Sequence, residues 1–350
     1  MTDTDIIVVG AGPAGSCAAI AAAKAGKRVV LIERGPFPGS KNMYGGVIYP
    51  RILDELIPNW FEHAPIQRWV VRRSTMLLSD TGALNIDYRS NAWGQAPYNG
   101  ATAYRPDFDN WLAQQAVAAG AELICSTTVT GLLRDAQGRI NGITTDRPDG
   151  DLTASVVIAC DGVNSFIAKD AGLYASVDAS NYTLGVKETL SLPKSVIDER
   201  FGVRDNQGVD IEILGGTSGV NGGGFIYTNL DTIALGVVLK LPKLSAQKKR
   251  PEEIIAEGHG IHGVEPGRDR RTMVAEMNMY WSAGVRNTVS TSARSERFIP
   301  AIWNSYSKSD TARRPRSSTP APISWTKCAS REWKPTTSTL SCPASAMRAS

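Results

Sequence analysis

The stretch Asp5-Ile-Ile-Val-Val-Gly10-Ala-Gly12-Pro-Ala-Gly15 stands near the N-terminus, and Arg28-Val-Val-Leu-Ile-Glu33 follows it after an alanine-rich segment. The first stretch is a β-branched run that ends in Gly-x-Gly-x-x-Gly, and the second is an apolar run that ends in an acid. Apolar runs of this length predict buried strands, and the alanine-rich segment between them predicts a helix. The order strand, glycine turn, helix, strand predicts a dinucleotide-binding unit of an α/β fold.

Each glycine of this turn has a physical role in such a unit. Gly10 permits the tight turn, Gly12 lets the backbone approach a pyrophosphate, and Gly15 lets the helix and strand pack closely. The helix N-terminus offers free N–H groups and the positive end of its dipole to the phosphates. Glu33 would accept hydrogen bonds from a ribose diol and would repel an additional ribose phosphate. The pattern therefore predicts nucleotide binding, and its spacing alone leaves NAD and FAD both open.

A long glycine-rich loop follows Glu33 and favours FAD over NAD. It begins at Arg34 and reaches the adjacent glycines Gly45 and Gly46. In simple dehydrogenases a helix usually follows the acid quickly, whereas in flavoproteins this loop passes along the flavin. Two adjacent glycines indicate close approach of the backbone to a flat group, although a plain surface loop would also accommodate them.

Three segments together resemble one group of flavoproteins. They are Val8-Val-Gly-Ala-Gly-Pro-Ala-Gly15, Ile32-Glu-Arg-Gly35 and Lys41-Asn-Met-Tyr-Gly-Gly46. With them the chain resembles the electron-transfer-flavoprotein:quinone oxidoreductase family, and within it the short bacterial Fix-type branch. Geranylgeranyl reductases and aromatic-ring hydroxylases are more distant relatives with the same FAD fold. The resemblance implies FAD as the cofactor and electron transfer as the activity.

The resemblance extends to the run Tyr104-Arg-Pro-Asp-Phe-Asp-Asn-Trp-Leu112. Family members have a similar run in which the arginine lies near the flavin, which implies the same place for Arg105. From the residues alone, Arg105 could equally be a solvated residue at a helix start, because Pro106 suits a first helical turn. Further along the chain, the resemblance implies that Val129 contacts the adenine through its backbone.

Residues 154–165 indicate a second FAD motif. The apolar run there ends in Asp161-Gly162 and leads into a helix start. Asp161 could simply cap that helix, or it could help to hold the ribityl chain or pyrophosphate of FAD. The presence of the N-terminal motif favours the role in FAD binding.

Residues 181–241 change to short β-rich runs, which predict strands over 183–190, 211–214, 223–229 and 232–239. Antiparallel strands after an α/β unit predict a sheet that serves as a substrate domain. The resemblance implies that Gly-Val-Lys187-Glu and Gly-Gly-Gly-Phe225-x-Tyr-Thr-Asn line the flavin–quinone region. The pattern identifies no catalytic acid or base, since in this family the flavin carries the chemistry and the protein positions it.

We therefore expect three regions. Residues 1–175 form an FAD-binding, Rossmann-like domain of the glutathione-reductase or hydroxylase type, with a β-hairpin near 131–152. Residues 176–256 form an antiparallel β-rich substrate or quinone domain, and residues 257–350 form an aberrant, disordered tail. The residues that we expect to bind FAD are Gly10, Gly12, Pro13, Ala14, Gly15, Glu33, Arg34, Gly45, Gly46, Arg105, Val129, Asp161 and Gly162.

Composition excludes several other classes of protein. With 42% hydrophobic and 21% charged residues, the chain is typical of globular proteins. The five cysteines are scattered without a Cys-x-x-Cys pair, which argues against a disulfide framework, a zinc ribbon and an internal iron–sulfur cluster. His259 and His262 could ligate a metal, but no neighbouring cysteine or carboxylate cluster completes a site, so we expect no metal.

The surroundings and partners follow from charge and hydropathy. No apolar run reaches the length of a membrane span, and acidic residues occupy the place where a signal peptide would be basic, so we expect a cytoplasmic protein. The basic residues are scattered, so we expect no nucleic-acid partner. The resemblance implies an electron-transfer flavoprotein and a small ferredoxin-like subunit as partners. A membrane quinone would place the protein peripherally at the inner membrane face.

The resemblance stops near residue 256. All 33 glycines precede residue 285, and 22 of the residues in 301–350 are Ser, Thr or Pro (11 + 6 + 5). Such a composition predicts disorder. A shift of the reading frame near residue 257 would explain the change, because a permitted reading of 324–348 in the shifted frame is similar to the distal region of the family. The alternative is a genuine disordered tail. A shifted frame would remove the family's third FAD motif and weaken FAD binding.

Three hypotheses for function follow. The first is an FAD-dependent oxidoreductase that passes electrons from an electron-transfer flavoprotein to a ferredoxin-like partner or quinone. The second is a prenyl-chain reductase or aromatic hydroxylase on the same fold. The third is an inactive, truncated product. The sequence leaves the pathway open between nitrogen fixation and fatty-acid or carnitine metabolism.

Overall fold

A computed structural model describes residues 2–42, 45–79, 82–174, 179–217 and 219–248. His259, His262 and the expected tail at 257–350 lie outside these ranges. The strands are β1 (Thr4–Val9), β2 (Val29–Ile32), β3 (Gly45–Ile48), β4 (Ile66–Leu78), β5 (Ala83–Arg89), β6 (Ala101–Tyr104), β7 (Glu122–Ile124), β8 (Val129–Arg134), β9 (Ile140–Thr145), β10 (Leu152–Ala159), β11 (Thr183–Ser191), β12 (Gln207–Leu214), β13 (Gly222–Thr228) and β14 (Thr232–Lys240). The helices are α1 (Pro13–Lys24), α2 (Leu53–Leu56), α3 (Arg105–Ala118), α4 (Phe166–Asp170), α5 (Lys194–Phe201) and α6 (Leu241–Gln247).

The predicted dinucleotide-binding pattern forms a six-stranded sheet in the order β7-β2-β1-β10-β9-β8. The strands β7, β2, β1 and β10 run parallel, and β9 and β8 are added antiparallel to them. All four residues of β2 are buried, as a central parallel strand requires. The order β1, α1, β2 confirms the predicted α/β fold.

Helices α1 and α3 cover one face of this sheet. Ala19 and Ile20 of α1 and Leu112 and Ala116 of α3 belong to one buried apolar cluster. Small alanines bring the helix axes close to the sheet, and fully burying each larger side chain contributes about 1.5–3 kcal/mol. The other face buries a second cluster that contains Ile7 and Ile143. Apolar side chains are therefore buried on both faces of the sheet that carries the glycine turn.

The hairpin expected near 131–152 is present with different bounds. It consists of β8 and β9, which are joined by a turn in which Asp135 accepts backbone N–H bonds. The second strand ends at Thr145 rather than near residue 152. Asp146 and Asp151 accept backbone N–H bonds from Thr128 and Thr145, so a turn with side-chain acceptors replaces the end of the strand.

The second sheet has eight strands, in the order β11-β14-β13-β12-β4-β6-β3, with β5 paired to β4. The strands predicted over 183–239 are confirmed, and they pair antiparallel. The sheet also takes β3 to β6 from residues 45–104, and β12 runs parallel to β4. It is therefore a mixed sheet whose strands come from both sides of the boundary expected at 175/176, and that boundary stays a prediction.

Helices α5 and α6 cover one face of the second sheet. Ile197 of α5 and Leu244 of α6 are buried with Ile211, Leu235 and other alternating residues of the strands. Side chains at the intervening positions, such as Asp210, point to the opposite face. None of the helices in the described ranges is long and apolar enough to cross a membrane.

Arg68 on β4 is fully buried and joins three parts of the second sheet. Its guanidinium donates to the carbonyl oxygens of Asn229 (2.6 Å), Gln207 (2.9 Å) and Leu230 (3.1 Å). It also pairs with the Asp198 carboxylate of α5 at 2.6 Å. Burial alone would raise the pKa of Asp198, but hydrogen bonds from Lys194 and Arg68 outweigh it and lower that pKa.

Replacing Arg68 should destabilise the protein strongly. In Arg68→Met, three carbonyl oxygens lose the guanidinium donor and the Asp198 carboxylate keeps only Lys194, so the free energy of unfolding should fall by about 3–5 kcal/mol. Urea unfolding would measure it. The control is Arg89→Met, because Arg89 is exposed and also donates to a backbone carbonyl, that of Gly202 at the end of α5. That variant should lose less than about 1 kcal/mol. Equal losses in the two variants would contradict the structural role of Arg68.

Asp210 on β12 gives a second, pH-dependent prediction. It is 2% exposed, and burial raises its pKa to about 6, although the Arg73 cation opposes this. Since the folded pKa lies above the unfolded value, stability should fall as the pH rises from about 4 through 6. Asp210→Asn removes this ionisation.

The variant should therefore gain stability relative to the natural chain between pH 5 and pH 8, by on the order of 1–3 kcal/mol. Thermal unfolding at several pH values would measure the difference. A constant difference across this range would show that Asp210 ionises as easily in the folded protein as in the unfolded one.

Candidate functional site

The glycine turn is as tight as the sequence predicts. Gly10 has φ +99°, and a Cβ there would lie 2.4 Å from the carbonyl oxygen of Cys160. A Cβ on Gly15 would lie 1.8 Å from the carbonyl oxygen of Gly10. Neither place can accept a side chain, so both glycines are required by the packing of the chain itself.

Gly12 differs from its two neighbours in the motif. Its φ is −73°, which any residue adopts, and a Cβ there would meet no atom within 4 Å in the part of the chain that the structure describes. It stands at the start of α1, followed by Pro13 and Ala14 as the first helical residues. The space in front of Gly12 and the helix N-terminus therefore suits an approaching phosphate group.

Glu33 lies beside the turn at the end of β2. One carboxylate oxygen accepts the N–H of Ala11 at 3.1 Å, and the other accepts the N–H of Gly35 at 2.7 Å. A carboxylate offers about four acceptor positions, so it can hold the turn and still accept from a ribose hydroxyl. The carboxylate thus links β2 to the first glycine motif.

The second motif lies directly against the first. The N–H of Cys160 donates to the carbonyl of Val9 at 2.8 Å, next to the close contact at Gly10. Asp161 accepts the backbone N–H of Ile167 in α4 at 2.7 Å, so its carboxylate has the capping role that the sequence left open. Gly162 has φ +71°, and a Cβ there would meet no described atom within 4 Å. The structure brings together Gly10, Asp161 and Gly162.

The backbone before Val129 is tied to the loop after β2. The N–H of Ser126 donates to the carbonyl of Gly35 at 2.7 Å, and the N–H of Thr127 donates to the carbonyl of Glu33 at 3.0 Å. Val129 begins β8 and packs partly buried against the cluster under β1. Val129 is the second residue after Thr127, whose N–H is bonded to Glu33, and its contact with the adenine stays a prediction.

The loop after Glu33 has two different ends. Arg34 is exposed. The burial of Lys41 lowers the pKa of its ammonium group, and the nearby positive charge of Arg34 lowers it further. Gly45 and Gly46 begin strand β3 and pair with Tyr104 and Ala103, so they belong to the second sheet rather than to a loop. The glycine-rich segment therefore connects the two sheets.

Arg105 begins α3 and forms a bidentate ion pair with Asp109, with N–O distances of 2.6 and 2.9 Å. Asp109 is fully buried and also accepts a hydrogen bond from the amide of Asn42 at 2.7 Å. A Cβ on Gly39 would lie 2.8 Å from the carbonyl of Arg105. Arg105 thus fastens the glycine-rich loop to α3, a role that the sequence analysis did not assign.

Two features of the site were missed from the sequence. Asp109 stands four residues after Arg105 on a predicted helix, and this spacing was the available signal for the ion pair. The second feature is the contact of the half-buried Lys187 with Tyr104, in which the ammonium lies 5.9 Å from the centre of the ring. Burial lowers the pKa of Lys187. This contact is between distant strands and left no local pattern.

The geometry fits the phosphate and ribose half of a dinucleotide. Gly12 leaves space at the helix N-terminus, Glu33 offers acceptors beside it, and Gly162 faces open space from the second motif. These residues would hold the pyrophosphate and the ribose of FAD. Arg34 and Arg105 stay predictions, since the first is exposed and the second is already paired.

Substitution of two glycines should separate binding from folding. Gly12→Ala places a methyl in open space at an ordinary φ, so the variant should fold and melt near the natural chain but bind FAD at least about tenfold more weakly. Gly15→Ala, the control for packing, should fail to fold because of its contact with Gly10. Circular dichroism and flavin content would measure both. Full FAD content in Gly12→Ala would contradict the assigned phosphate site.

Comparison with known proteins agrees with this site. The family model described as FAD dependent oxidoreductase matches residues 5–202. The FixC protein of Bradyrhizobium diazoefficiens is 41% identical over 234 residues, which are 67% of this chain and 54% of that protein. The FixC protein of Salmonella typhi is 40% identical over 255 residues, or 72% of this chain and 59% of that protein. The chain therefore spans under two thirds of the length of these relatives.

Solved structures share the fold. A geranylgeranyl bacteriochlorophyll reductase-like protein of Thermoplasma acidophilum has a TM-score of 0.58 and 23% identity, over 72% of this chain and 60% of that one. A flavin-dependent brominase has a TM-score of 0.55 and 18% identity, over 73% and 60%. The match of the family model covers both glycine motifs and more than half of the sequence. With the glycine turn, Glu33 and the adjoining second motif in place, the chain belongs to the FAD dependent oxidoreductase family, and its cofactor is FAD.

Proposed function

We propose that this chain is an electron-transfer flavoenzyme of the Fix type. It takes electrons from an electron-transfer flavoprotein and passes them to a small ferredoxin-like partner or to a quinone. The identity of 38–41% to FixC proteins supports the assignment to this branch. We infer the electron donor and the electron acceptors from the resemblance of this branch to the electron-transfer-flavoprotein:quinone oxidoreductases.

One structural observation carries the proposal. Gly236 on β14 pairs with Lys187 of β11 on one side and with Phe225 of β13 on the other. Lys187 belongs to the Gly-Val-Lys-Glu segment and Phe225 to the Gly-Gly-Gly-Phe segment, so the two segments lie in one row across the second sheet. A Cβ on Gly236 would lie 2.6 Å from the Phe225 ring, so that ring lies directly over Gly236. Two distant family motifs thus form one continuous surface.

This surface continues to the glycine-rich segment. Lys187 lies over Tyr104, and Tyr104 pairs with Gly45 at the start of β3. The Tyr104 hydroxyl also bonds with Asn229 and Thr232, which fixes the ring. A fixed aromatic ring and a half-buried cation beside Gly45 suit a flavin ring that runs along this segment.

In this proposal FAD and the protein residues have different roles. When bound, FAD accepts and releases the electrons. The glycine turn and Glu33 hold its nucleotide half, and the half-buried Lys187 favours negative charge in its neighbourhood. The sheet excludes water from one side. These roles require binding and electrostatics from the protein rather than a catalytic acid or base.

The first experiment is an absorbance spectrum of the purified full chain, followed by anaerobic reduction. We expect stoichiometric FAD that is reduced by a reduced electron-transfer flavoprotein and not by NADH or NADPH. Gly12→Ala serves as a control with weakened FAD binding. Oxidation of NADPH stimulated by an aromatic substrate, or reduction of a polyprenyl chain, would contradict the proposal and favour the second hypothesis.

The flavin content also tests the origin of residues 257–350. A protein without flavin would indicate that the missing third FAD motif matters, and it would support the frameshift and the hypothesis of an inactive product. Stoichiometric FAD would contradict the loss of FAD binding, and a shift of frame would then be harmless or absent. The gene sequence around codon 257 gives an independent check.

A further inference from the structure

Strand β5 is an exposed edge of the second sheet. It pairs with β4 on one side, and no strand of the described ranges pairs with its other side, here called the outer edge. All seven residues of β5 are exposed. Leu84, Ile86 and Tyr88 alternate along one face of the strand and are 61%, 62% and 58% exposed. A long apolar edge of this kind is a template for pairing with another chain.

The outer edge of β5 lacks the usual protection of such edges. Natural edge strands are kept from pairing by short length, a bulge, a proline or a central lysine. The residues of β5 are Ala-Leu-Asn-Ile-Asp-Tyr-Arg, and they pair with β4 without a shift of register. The strands at the two ends of the sheet differ, since β3 has four residues and β11 carries Lys187 and Glu188 at its centre.

The strand is also held in place by the side chains of its polar face. The Ser74 hydroxyl on β4 donates to the side-chain oxygen of Asn85. The Arg72 guanidinium donates to both oxygens of Asp87, at 2.8 and 2.9 Å. Because β5 is already extended and fixed, it would lose little conformational freedom when another strand pairs with it.

The hydrogen bonds to β4 show which backbone groups face outward. The N–H of Ser90, directly after β5, donates to the carbonyl of Val71 on β4 at 2.9 Å. In an antiparallel pair such bonds recur at every second residue, so Leu84, Ile86 and Tyr88 also direct their N–H and C=O groups to β4. The residues whose N–H and C=O groups point to the outer edge are Ala83, Asn85, Asp87 and Arg89.

A second copy of β5 fits this edge best in one register. When two copies run antiparallel about a twofold axis at Ile86, Leu84 lies opposite Tyr88 and Asn85 lies opposite Asp87. The whole strand is then paired, and outward-pointing backbone groups meet one another. A shift by two residues in either direction leaves residues unpaired. It also places Asp87 opposite Asp87 in one direction and Asn85 opposite Asn85 in the other.

The side chains that meet in this register are complementary. Ile86 meets Ile86, and Leu84 meets the Tyr88 ring, at the non-hydrogen-bonded positions where side chains of paired strands are closest. On the other face, the amide of Asn85 can donate to the carboxylate of Asp87 of the second copy. Since no two like charges face each other, the strand is complementary to itself.

We propose that the outer edge of β5 binds the same edge of a second copy and forms a twofold dimer. The two eight-stranded sheets then join into one, through about eight backbone hydrogen bonds and the apolar side chains of β5. Because the interface is only one strand wide, we expect a reversible dimer with a dissociation constant on the order of 1–100 μM. The inference is independent of the proposed electron transfer, since it uses none of the residues assigned to FAD.

Analytical ultracentrifugation of the purified full chain, from about 1 μM to about 200 μM, tests the dimer. The natural chain should change from monomer to dimer over this range. Asn85→Asp should weaken the dimer at least about tenfold, because it places two carboxylates opposite each other at two places in the interface. This variant keeps the oxygen that accepts from Ser74, so the monomer should fold normally, as circular dichroism would show. The control is Asn59→Asp, the same change of charge at an exposed residue outside both sheets, and it should dimerise like the natural chain.

A double variant tests the register itself. Asn85→Asp combined with Asp87→Asn exchanges the two side chains, so that an amide again faces a carboxylate, and it should dimerise more strongly than Asn85→Asp alone. A double variant as weak as Asn85→Asp would overturn the proposed register, and an Asn85→Asp variant that dimerises like the natural chain would overturn the proposed interface. A natural chain that stays monomeric throughout but sediments with phosphatidylglycerol vesicles would also overturn the proposal, in favour of a lipid surface.

Discussion

The close approach of Gly10 to Cys160 is the constraint on which the nucleotide unit depends. At this point the turn after β1, the start of α1 and the end of β10 share a space that has no room for a single Cβ. The backbone hydrogen bond from the N–H of Cys160 to the carbonyl of Val9 fixes the register of β10 against β1. Two motifs that are 150 residues apart in the chain therefore become one surface, and both depend on residues without side chains.

The sequence predicted correctly those helices and strands that are determined by neighbouring residues. β1, α1 and β2 followed from apolar runs and glycine spacing, and the four strands over 183–239 followed from alternation and turns. The limits of the hairpin were wrong because Asp146 and Asp151 satisfy backbone donors in place of a longer strand. Such competition between side chains and backbone is not visible in hydrophobic periodicity.

Long-range pairing was the part that the sequence could not supply. The parallel contact of β4 with β12, the ion pair of Arg68 with Asp198, and the position of Lys187 over Tyr104 join residues far apart in the chain. No period or spacing encodes them. In the site, the sequence predicted the tight turn at Gly10 and the close packing at Gly15, whereas the contacts of Asp109 with Arg105 and Asn42 were evident only in the packed chain.

The mixed origin of the second sheet also has a consequence for folding on the ribosome. β4 is complete early in synthesis, but its parallel neighbour β12 begins only at Gln207. Until then Arg68 lacks the carbonyls of Gln207, Asn229 and Leu230, and the edge of β4 that pairs with β12 stays without its partner. Pairing over such a sequence distance is slow. The nascent chain therefore needs residues 207–230 before β4, made much earlier, has its final partners in the second sheet.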